Sequence, residues 1–130
     1  MIVGIGVDVV DVGRFGRSLE RTPALRERLF RREELVLPDG GPRPVRSLAA
    51  RFAAKEAAIK ALGGSTGVAW HDLVVTSDDE GAPSLAVTGG AARLASARGV
   101  DRWHLSLSHD SGVAVAQVVA ESAPEKGPHP

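Results

Sequence analysis

The sequence contains no cysteine. This absence excludes a disulfide framework, a zinc–thiolate site and a thiol nucleophile, and it suits a reducing cytosol, where we expect the protein to work. An excess of either charge is missing too, because 16 Lys and Arg residues balance 16 Asp and Glu residues. A net charge of zero argues against general nucleic-acid binding, while it leaves room for a local basic patch.

Long apolar runs are also missing, so the sequence predicts no bilayer-spanning segment and no membrane association. Residues 1–12 are apolar, but they lack a basic start and are interrupted by Asp8 and Asp11, which makes them a poor signal peptide. The 130 residues fit a single domain. We expect that domain to cover 1–120 and to be followed by a disordered tail at 121–130.

The order of periodic segments predicts an α+β fold with mostly antiparallel strand pairing. The predicted strands are 2–10, 73–76, 85–88, 103–108 and 113–119. The predicted helices are 12–20, 24–30, 47–62 and 90–98. The last two strands, separated by a turn at 110–112, form the clearest hairpin candidate.

The first strand has two different faces. Four β-branched residues share one face and are expected to pack on the core: Val3, Ile5, Val7 and Val9. The opposite face carries Gly4, Gly6 and Asp8. Two glycines beside a carboxylate leave space over the sheet, where either a ligand or another backbone can approach.

Helix 47–62 carries charged side chains on and beside an apolar stripe, which consists of Leu48, Phe52, Ile59 and Leu62. Lys55 projects into the middle of the stripe, with Glu56 at its edge, Lys60 one turn further and Arg51 on the other side. A lysine in an apolar stripe must either extend its ammonium group to solvent or find an anion. One interpretation is purely structural: Lys55 extends to solvent, and Glu56 and Lys60 form a surface ion pair. The functional alternative is a metal held by Glu56 beside phosphates held by the three basic residues.

Asp8 and Glu56 together predict a Mg²⁺ site. Mg²⁺ prefers one or two carboxylates, and water and substrate phosphate oxygens complete its coordination. Asp8 alone is equally consistent with an edge-strand carboxylate that faces water. The glycines on the same face favour the site.

Segment 106–110, SLSHD, is unsuited to a Ser-His-Asp triad. In a strand, Ser108 and Asp110 point to one face and His109 to the other, so these neighbours form no local relay. His109 is then either a structural or exposed histidine, or a contact to a phosphate or substrate at the sheet edge.

Seven arginines lie within residues 14–32, interleaved with apolar side chains: Arg14, Arg17, Arg21, Arg26, Arg28, Arg31 and Arg32. The cluster is either a solvated amphipathic face or a docking surface for an acidic partner.

Together these segments resemble the small, bacterial-type holo-acyl-carrier-protein synthases of the 4′-phosphopantetheinyl transferase superfamily. The resemblance covers about residues 1–120 and rests on the order and spacing of several blocks. The blocks are IVGIGVD at 2–8, Arg14-Phe15, FRREEL at 30–35, RFAAKEAAIKALG at 51–63 and SLSHD at 106–110.

This resemblance implies a phosphopantetheinyl transferase fold and Mg²⁺-dependent transfer of 4′-phosphopantetheine from coenzyme A to a serine of acyl carrier protein. It implies a homotrimer with sites between subunits. Asp8 and Glu56 would bind Mg²⁺, and Arg14 and Arg21 would dock the acidic helix of the carrier. Coenzyme A contacts are implied for Arg51, Lys55, Lys60, Gly63, Gly64 and His109.

The role of Asp110 stays open, because many members of the family carry another residue there. Asp110, or Glu56 through a metal-bound water, is the candidate acceptor for the proton of the carrier's serine. Two other classes of function remain as alternatives. One is a catalytically inactive module that binds carrier protein or coenzyme A, and the other is a nucleotide-binding or regulatory domain that uses the glycine-rich loops.

Overall fold

Within residues 1–124, the part of the chain that this computed structural model describes, five strands and five α-helices follow one another. The strands are β1 (Ile2–Asp11), β2 (Leu73–Ser77), β3 (Pro83–Val87), β4 (Arg102–Asp110) and β5 (Val113–Glu121). The helices are α1 (Val12–Arg21), α2 (Leu25–Leu29), α3 (Arg32–Leu35), α4 (Val45–Leu62) and α5 (Gly89–Ala97). In this part of the chain, no helix has the length and apolar character needed to cross a membrane.

The strands form two antiparallel sheets, one of three strands in the order β1-β5-β4 and one of β2 with β3. The predicted α+β class with antiparallel pairing is confirmed. The predicted last hairpin is present as β4–β5, joined through Ser111 and Gly112, whose φ angles are 51° and 79°. Positive φ at both turn residues matches the twist of a two-residue hairpin.

Helix α4 lies against β1 at a distance that only glycine permits. A methyl group added at Gly6 would overlap the carbonyl oxygen of Ala57, and one at Gly4 would overlap that of Ala61. The space that the sequence predicted over these glycines is therefore filled by the backbone of α4. This close contact fixes which face of the three-stranded sheet is the inner face.

The predicted burial of the other β1 face is wrong within the single chain. Val3, Ile5, Val7 and Val9 are 39%, 57%, 51% and 59% exposed, respectively. Side chains alternate along a strand, so once the glycines face α4 these residues must point away from it. The result is a contiguous apolar face on β1, which we call the β1 outer face.

Two hydrophobic clusters support this arrangement. One fills the space between α4, the inner sheet face, β2 and α5. The other joins α1 and α2 to the first half of α4, where Phe15 stacks on Phe52 with ring centroids 5.2 Å apart and meets Phe30 edge-on at 6.3 Å. The second cluster holds α1 beside the end of β1 and so positions the site described below.

The ordered domain continues beyond the predicted boundary at residue 120. Strand β5 includes Glu121, the Ser122 backbone N–H donates to Met1 O at 2.9 Å, and the Ala123 N–H donates to Asp101 Oδ1 at 2.5 Å. These contacts tie the segment to the sheet edge. Residues 125–130 of the predicted tail lie outside the described residues.

Candidate active site

A cleft of about 350 Å³ between β1, α1 and α4 contains both predicted metal ligands. We call it the carboxylate pocket, and it is lined by Asp8, Val9, Val10, Asp11, Arg14, Phe15, Ser18, Phe52 and Glu56. Asp8 enters from the inner face of β1, two residues beyond Gly6, and Glu56 from the side of α4. The close packing of strand and helix thus brings together two carboxylates that are far apart in sequence.

The electrostatics of the carboxylate pocket favour a cation. Partial burial and the negative charge of Asp8 raise the pKa of Glu56, while Lys60 opposes this shift. Lys60 Nζ donates to Asp8 Oδ1 at 3.0 Å and to Val7 O at 2.9 Å, so the surface partner expected for Glu56 bonds to the other carboxylate instead. A bound divalent cation would relieve the repulsion between the two carboxylates.

The donor set matches Mg²⁺ better than a metal that needs a full protein cage. Among residues 1–124, no group of three or more His, Cys, Asp or Glu residues is placed to hold a metal. Two carboxylates are enough for Mg²⁺, because it retains waters and binds substrate phosphates. Asp8 and Glu56 therefore fit the predicted ion.

A second cleft, of about 460 Å³, is basic, and we call it the arginine cleft. Its polar lining includes Arg43, Arg46, Ser47, Arg51 and His109. Two guanidinium groups converge on one hydroxyl, since Arg51 Nη1 and Arg43 Nη1 donate to Ser47 Oγ at 2.8 and 3.2 Å. The structure thus brings together two of the predicted coenzyme A contacts, Arg51 and His109.

Arg51 is held in a state that suits an anionic ligand. Its side chain is buried, and its Nε has no hydrogen-bond partner within the described part of the chain. Burial, helped by the positive charge of Arg43 and opposed by Glu34, lowers the pKa of Arg51 to about 10. A phosphate in the arginine cleft would stabilise the charge of the guanidinium group.

The sequence interpretation missed Arg43 and Arg46. Both lie between the predicted helices 24–30 and 47–62, where no site residue was predicted. Arg43 is held at the end of α3, because its Nε donates to Glu34 O at 2.6 Å and its Nη2 to Val36 O at 3.0 Å. The sequence feature that could have indicated these two residues is a pair of arginines at the start of a long helix.

Lys55 is buried in α4, but its ammonium group already has protein partners, and its predicted coenzyme A contact stays a prediction. Its side chain is fully buried, and Nζ donates to Glu34 Oε1 at 2.8 Å, to Trp70 O at 3.1 Å and to Leu73 O. An ammonium group has three donors, so none is left for a phosphate. Of the two outcomes left open for Lys55, solvent or an anion, the structure shows an anion, and that anion is Glu34, whose buried role was missed.

Asp110 and the two metal carboxylates lie on opposite faces of the sheet within one chain. Asp8 is paired with the buried Ala116, whereas Asp110 is paired with Val113. Directly paired residues share a face, so alternation along β5 separates the two aspartates. His109 pairs with the buried Ala114 and is on the inner face, which confirms that it and Asp110 diverge.

Gly63 and Gly64 lie at the C-terminal end of α4, and neither lines the carboxylate pocket or the arginine cleft. Gly63 has φ of 80° and caps the helix in the left-handed conformation. Arg98 Nη1 donates to Leu62 O beside it. A capping role accounts for Gly63, and the predicted coenzyme A contact of this loop stays a prediction.

The predicted docking arginines lie on α1. Arg14 and Arg21 are both exposed and are two helical turns apart, which places them on one side of the helix. Arg14 also lines the carboxylate pocket. A partner bound along α1 would therefore reach the predicted metal site.

Comparison with known proteins agrees with this geometry. Residues 4–118 match the model of the 4′-phosphopantetheinyl transferase superfamily. This chain belongs to that superfamily. A holo-[acyl-carrier-protein] synthase from Leifsonia xyli is 60% identical over 121 residues, which cover 93% of this chain and 98% of the relative.

Solved structures of this superfamily show the same fold. The crystal structure of holo-[acyl-carrier-protein] synthase from Neisseria meningitidis has a TM-score of 0.83 and 35% identity, covering 94% of this chain and all of that chain. The Bacillus anthracis synthase, solved in complex with coenzyme A (3′,5′-ADP), has a TM-score of 0.74 and 35% identity, covering 95% of this chain and 99% of that chain.

Proposed function

We propose that this chain is a holo-[acyl-carrier-protein] synthase, which transfers 4′-phosphopantetheine from coenzyme A to a serine of apo acyl carrier protein. The observation that carries the proposal is the pair of clefts, one with two carboxylates for a metal and one with arginines for phosphates, in a member of a phosphopantetheinyl transferase superfamily. The cytosol supplies both substrates, and a chain without cysteine suits it.

The chemistry is the displacement of one oxygen on phosphorus by another. The serine Oγ forms a bond to the phosphorus that carries pantetheine, the bond to the leaving oxygen breaks, and adenosine 3′,5′-bisphosphate departs. Such transfers depend mainly on positioning and on stabilising negative charge. Mg²⁺, held by Asp8 and Glu56, would supply Lewis-acid neutralisation of that charge.

The basic residues have separate tasks in this proposal. Lys60 holds Asp8 in place and adds positive charge beside the reacting phosphates. Arg51 and His109, which both line the arginine cleft, bind a phosphate of coenzyme A there. Glu56, acting through a metal-bound water, remains a candidate acceptor for the serine proton.

We also propose that the working protein is a homotrimer with each site shared between subunits. The β1 outer face supports this, because it exposes four large apolar side chains: Val3, Ile5, Val7 and Val9. A patch of that kind marks an interface. A shared site would let the Asp110 of one chain approach the carboxylate pocket of a neighbour, which the single chain does not allow.

The carrier protein is the proposed macromolecular partner. Arg14 and Arg21 would pair with acidic groups on its surface, and the charge would steer the encounter as well as fix its orientation. Because Arg14 lines the carboxylate pocket, docking on α1 delivers the carrier's serine to the reacting phosphate.

The test is the intact mass of an apo acyl carrier protein after incubation with this chain, coenzyme A and Mg²⁺. We expect a gain equal to one phosphopantetheine group, which EDTA and Glu56→Gln both abolish. The matched control is Glu27→Gln, an exposed carboxylate of α2 outside both clefts, which keeps the gain. An unmodified carrier in the presence of folded wild-type protein that binds coenzyme A would show that the chain is a binding module instead.

A further inference from the structure

The buried ion pair Glu34–Lys55 lines neither cleft, yet it is the most completely enclosed polar contact near the site. Nζ and Oε1 are 2.8 Å apart, and both side chains are 0% exposed. The Glu34 carboxylate also accepts from the backbone N–H of Arg31 at 3.0 Å and of Val75 at 3.2 Å. Every oxygen of this buried carboxylate is therefore in use.

The pair connects three separate parts of the chain. Glu34 belongs to α3 and Lys55 to α4, while Trp70 O lies just before β2 and Leu73 O at its first residue. The ammonium nitrogen also lies 5.5 Å from the ring centroid of Phe30. These directional contacts restrict rotation of α4 at the turn that contains Lys55.

Apolar packing does little to fix the rotation of α4 about its own axis. Its buried face is mostly alanine: Ala49, Ala50, Ala53, Ala54, Ala57, Ala58 and Ala61. Alanine side chains are short and cannot interlock as branched ones do, and the glycines of β1 present a smooth surface to them. Shape alone therefore specifies the rotation of α4 weakly.

The site residues whose positions depend on the rotation of α4 lie next to the Glu34–Lys55 pair. Glu56 follows Lys55 directly, and Arg51 lies one turn before it on the same side of the helix. The Glu34 carbonyl accepts from Arg43, which shares the Ser47 hydroxyl with Arg51. A shift at the pair would therefore reach both clefts.

We propose that Glu34 and Lys55 are positioning residues for the transfer reaction, which hold α4 at the rotation that presents Glu56 to the carboxylate pocket and Arg51 to the arginine cleft. Neither side chain contacts substrate. Buried ion pairs often contribute little to stability compared with apolar replacements, so a role in specifying geometry accounts for this one better than a role in stability. The inference rests on the proposed transferase function.

The test compares the wild-type enzyme with the double variant E34Q/K55M, which removes both charges and keeps the side-chain volumes close. We expect a folded protein whose kcat falls about tenfold to a hundredfold, because small displacements of reacting groups have effects of that size. The Mg²⁺ concentration for half-maximal rate and the KM for coenzyme A should both rise. A folded double variant with wild-type kcat and wild-type Mg²⁺ dependence would overturn the proposal.

The matched control is Leu62→Ala, which weakens the fully buried end of α4 far from the pair. It should lower the Tm while keeping the Mg²⁺ dependence and the KM for coenzyme A. If it changes these two quantities as the double variant does, general destabilisation explains the effect and the positioning role is wrong. If E34Q/K55M fails to fold, the single variant Glu34→Gln, with the same volume and one retained oxygen, decides by the same three measurements.

Failure of the proposed function would look different. In that case the wild-type protein itself would leave the apo carrier unmodified, whatever residue stands at 34 or 55.

Discussion

At the residue scale, the pKa of Glu56 connects the fold to the proposed reaction. Asp8 and partial burial raise that pKa above the ordinary glutamate value, so the carboxylate is protonated at a higher pH in the folded protein than in the unfolded chain. Only the ionised form binds Mg²⁺ well. Metal affinity and stability should therefore respond to pH in opposite ways.

The Mg²⁺ concentration for half-maximal transfer should rise as the pH falls through the raised pKa of Glu56, beginning above the ordinary glutamate range. Without metal, the contribution of Glu56 makes the free energy of unfolding change with pH in the opposite direction. The folded state binds this proton more tightly than the unfolded state, so stability falls as the pH rises from the unfolded to the folded pKa.

Glu56→Gln should consequently raise the Tm of the protein in EDTA at neutral pH while it abolishes transfer. Calorimetry in EDTA at two pH values, one below the ordinary glutamate pKa and one at neutrality, measures this. A lower Tm for Glu56→Gln at neutrality would show that the carboxylate stabilises the apo fold and that its pKa is not raised.

At the element scale, the decisive contact is between β1 and α4. The glycines of β1 let the helix backbone approach the strand, and this approach places Asp8 beside Glu56. The predicted boundaries of both elements agree closely with the structure, although α4 begins at Val45 rather than at residue 47. The contact itself, which joins residues far apart in sequence, depends on the tertiary fold.

Gly6→Ala should destabilise the protein by about 1–3 kcal/mol or more, because the new methyl group overlaps the carbonyl oxygen of Ala57 and no flexible side chain can give way. Urea denaturation measures the change. The control is Gly64→Ala, where nothing lies within 4 Å of the added carbon, and it should be neutral or slightly stabilising. Equal stabilities for the two variants would contradict the proposed tight contact.

At the scale of the whole molecule, the β1 outer face is the feature that a single chain leaves unexplained. Exposing β-branched residues along a strand loses the free energy of burying them, about 25 cal/mol per Å² of apolar surface. A second copy of the chain covers such a face without changing the fold inside it. The same assembly would also bring the Asp110 side of the sheet to a neighbouring subunit.

Ile5→Glu should therefore convert a trimer into monomers, because a charge in the centre of the interface would have no partner. Light scattering after size-exclusion chromatography gives the mass of each species. The control is Val36→Glu, which places the same charge on another exposed apolar side chain away from β1 and should leave the mass unchanged. A monomeric wild type, or an Ile5→Glu variant that keeps the wild-type mass, would rule out assembly through this face.

The sequence by itself determined the fold class, the identity of nearly every element and the last hairpin. These features follow from periodicity, turn chemistry and residue type, which are local, or from blocks whose order is characteristic of the family. Periodicity also showed that Val7 and Gly6 face opposite ways.

The tertiary structure decided which way is inward, and hence which residues meet. Alternation along β1 defines two faces but does not say which of them packs against the rest of the protein. The glycine face packs because it lets the backbone of α4 come close, so the valines point outward although their side chains are apolar. Likewise, the stripe of α4 required a partner for Lys55, but Glu34 becomes that partner only when α3 folds against α4. The physical reason is that local pattern sets the direction of each side chain, whereas long-range packing sets what lies in that direction.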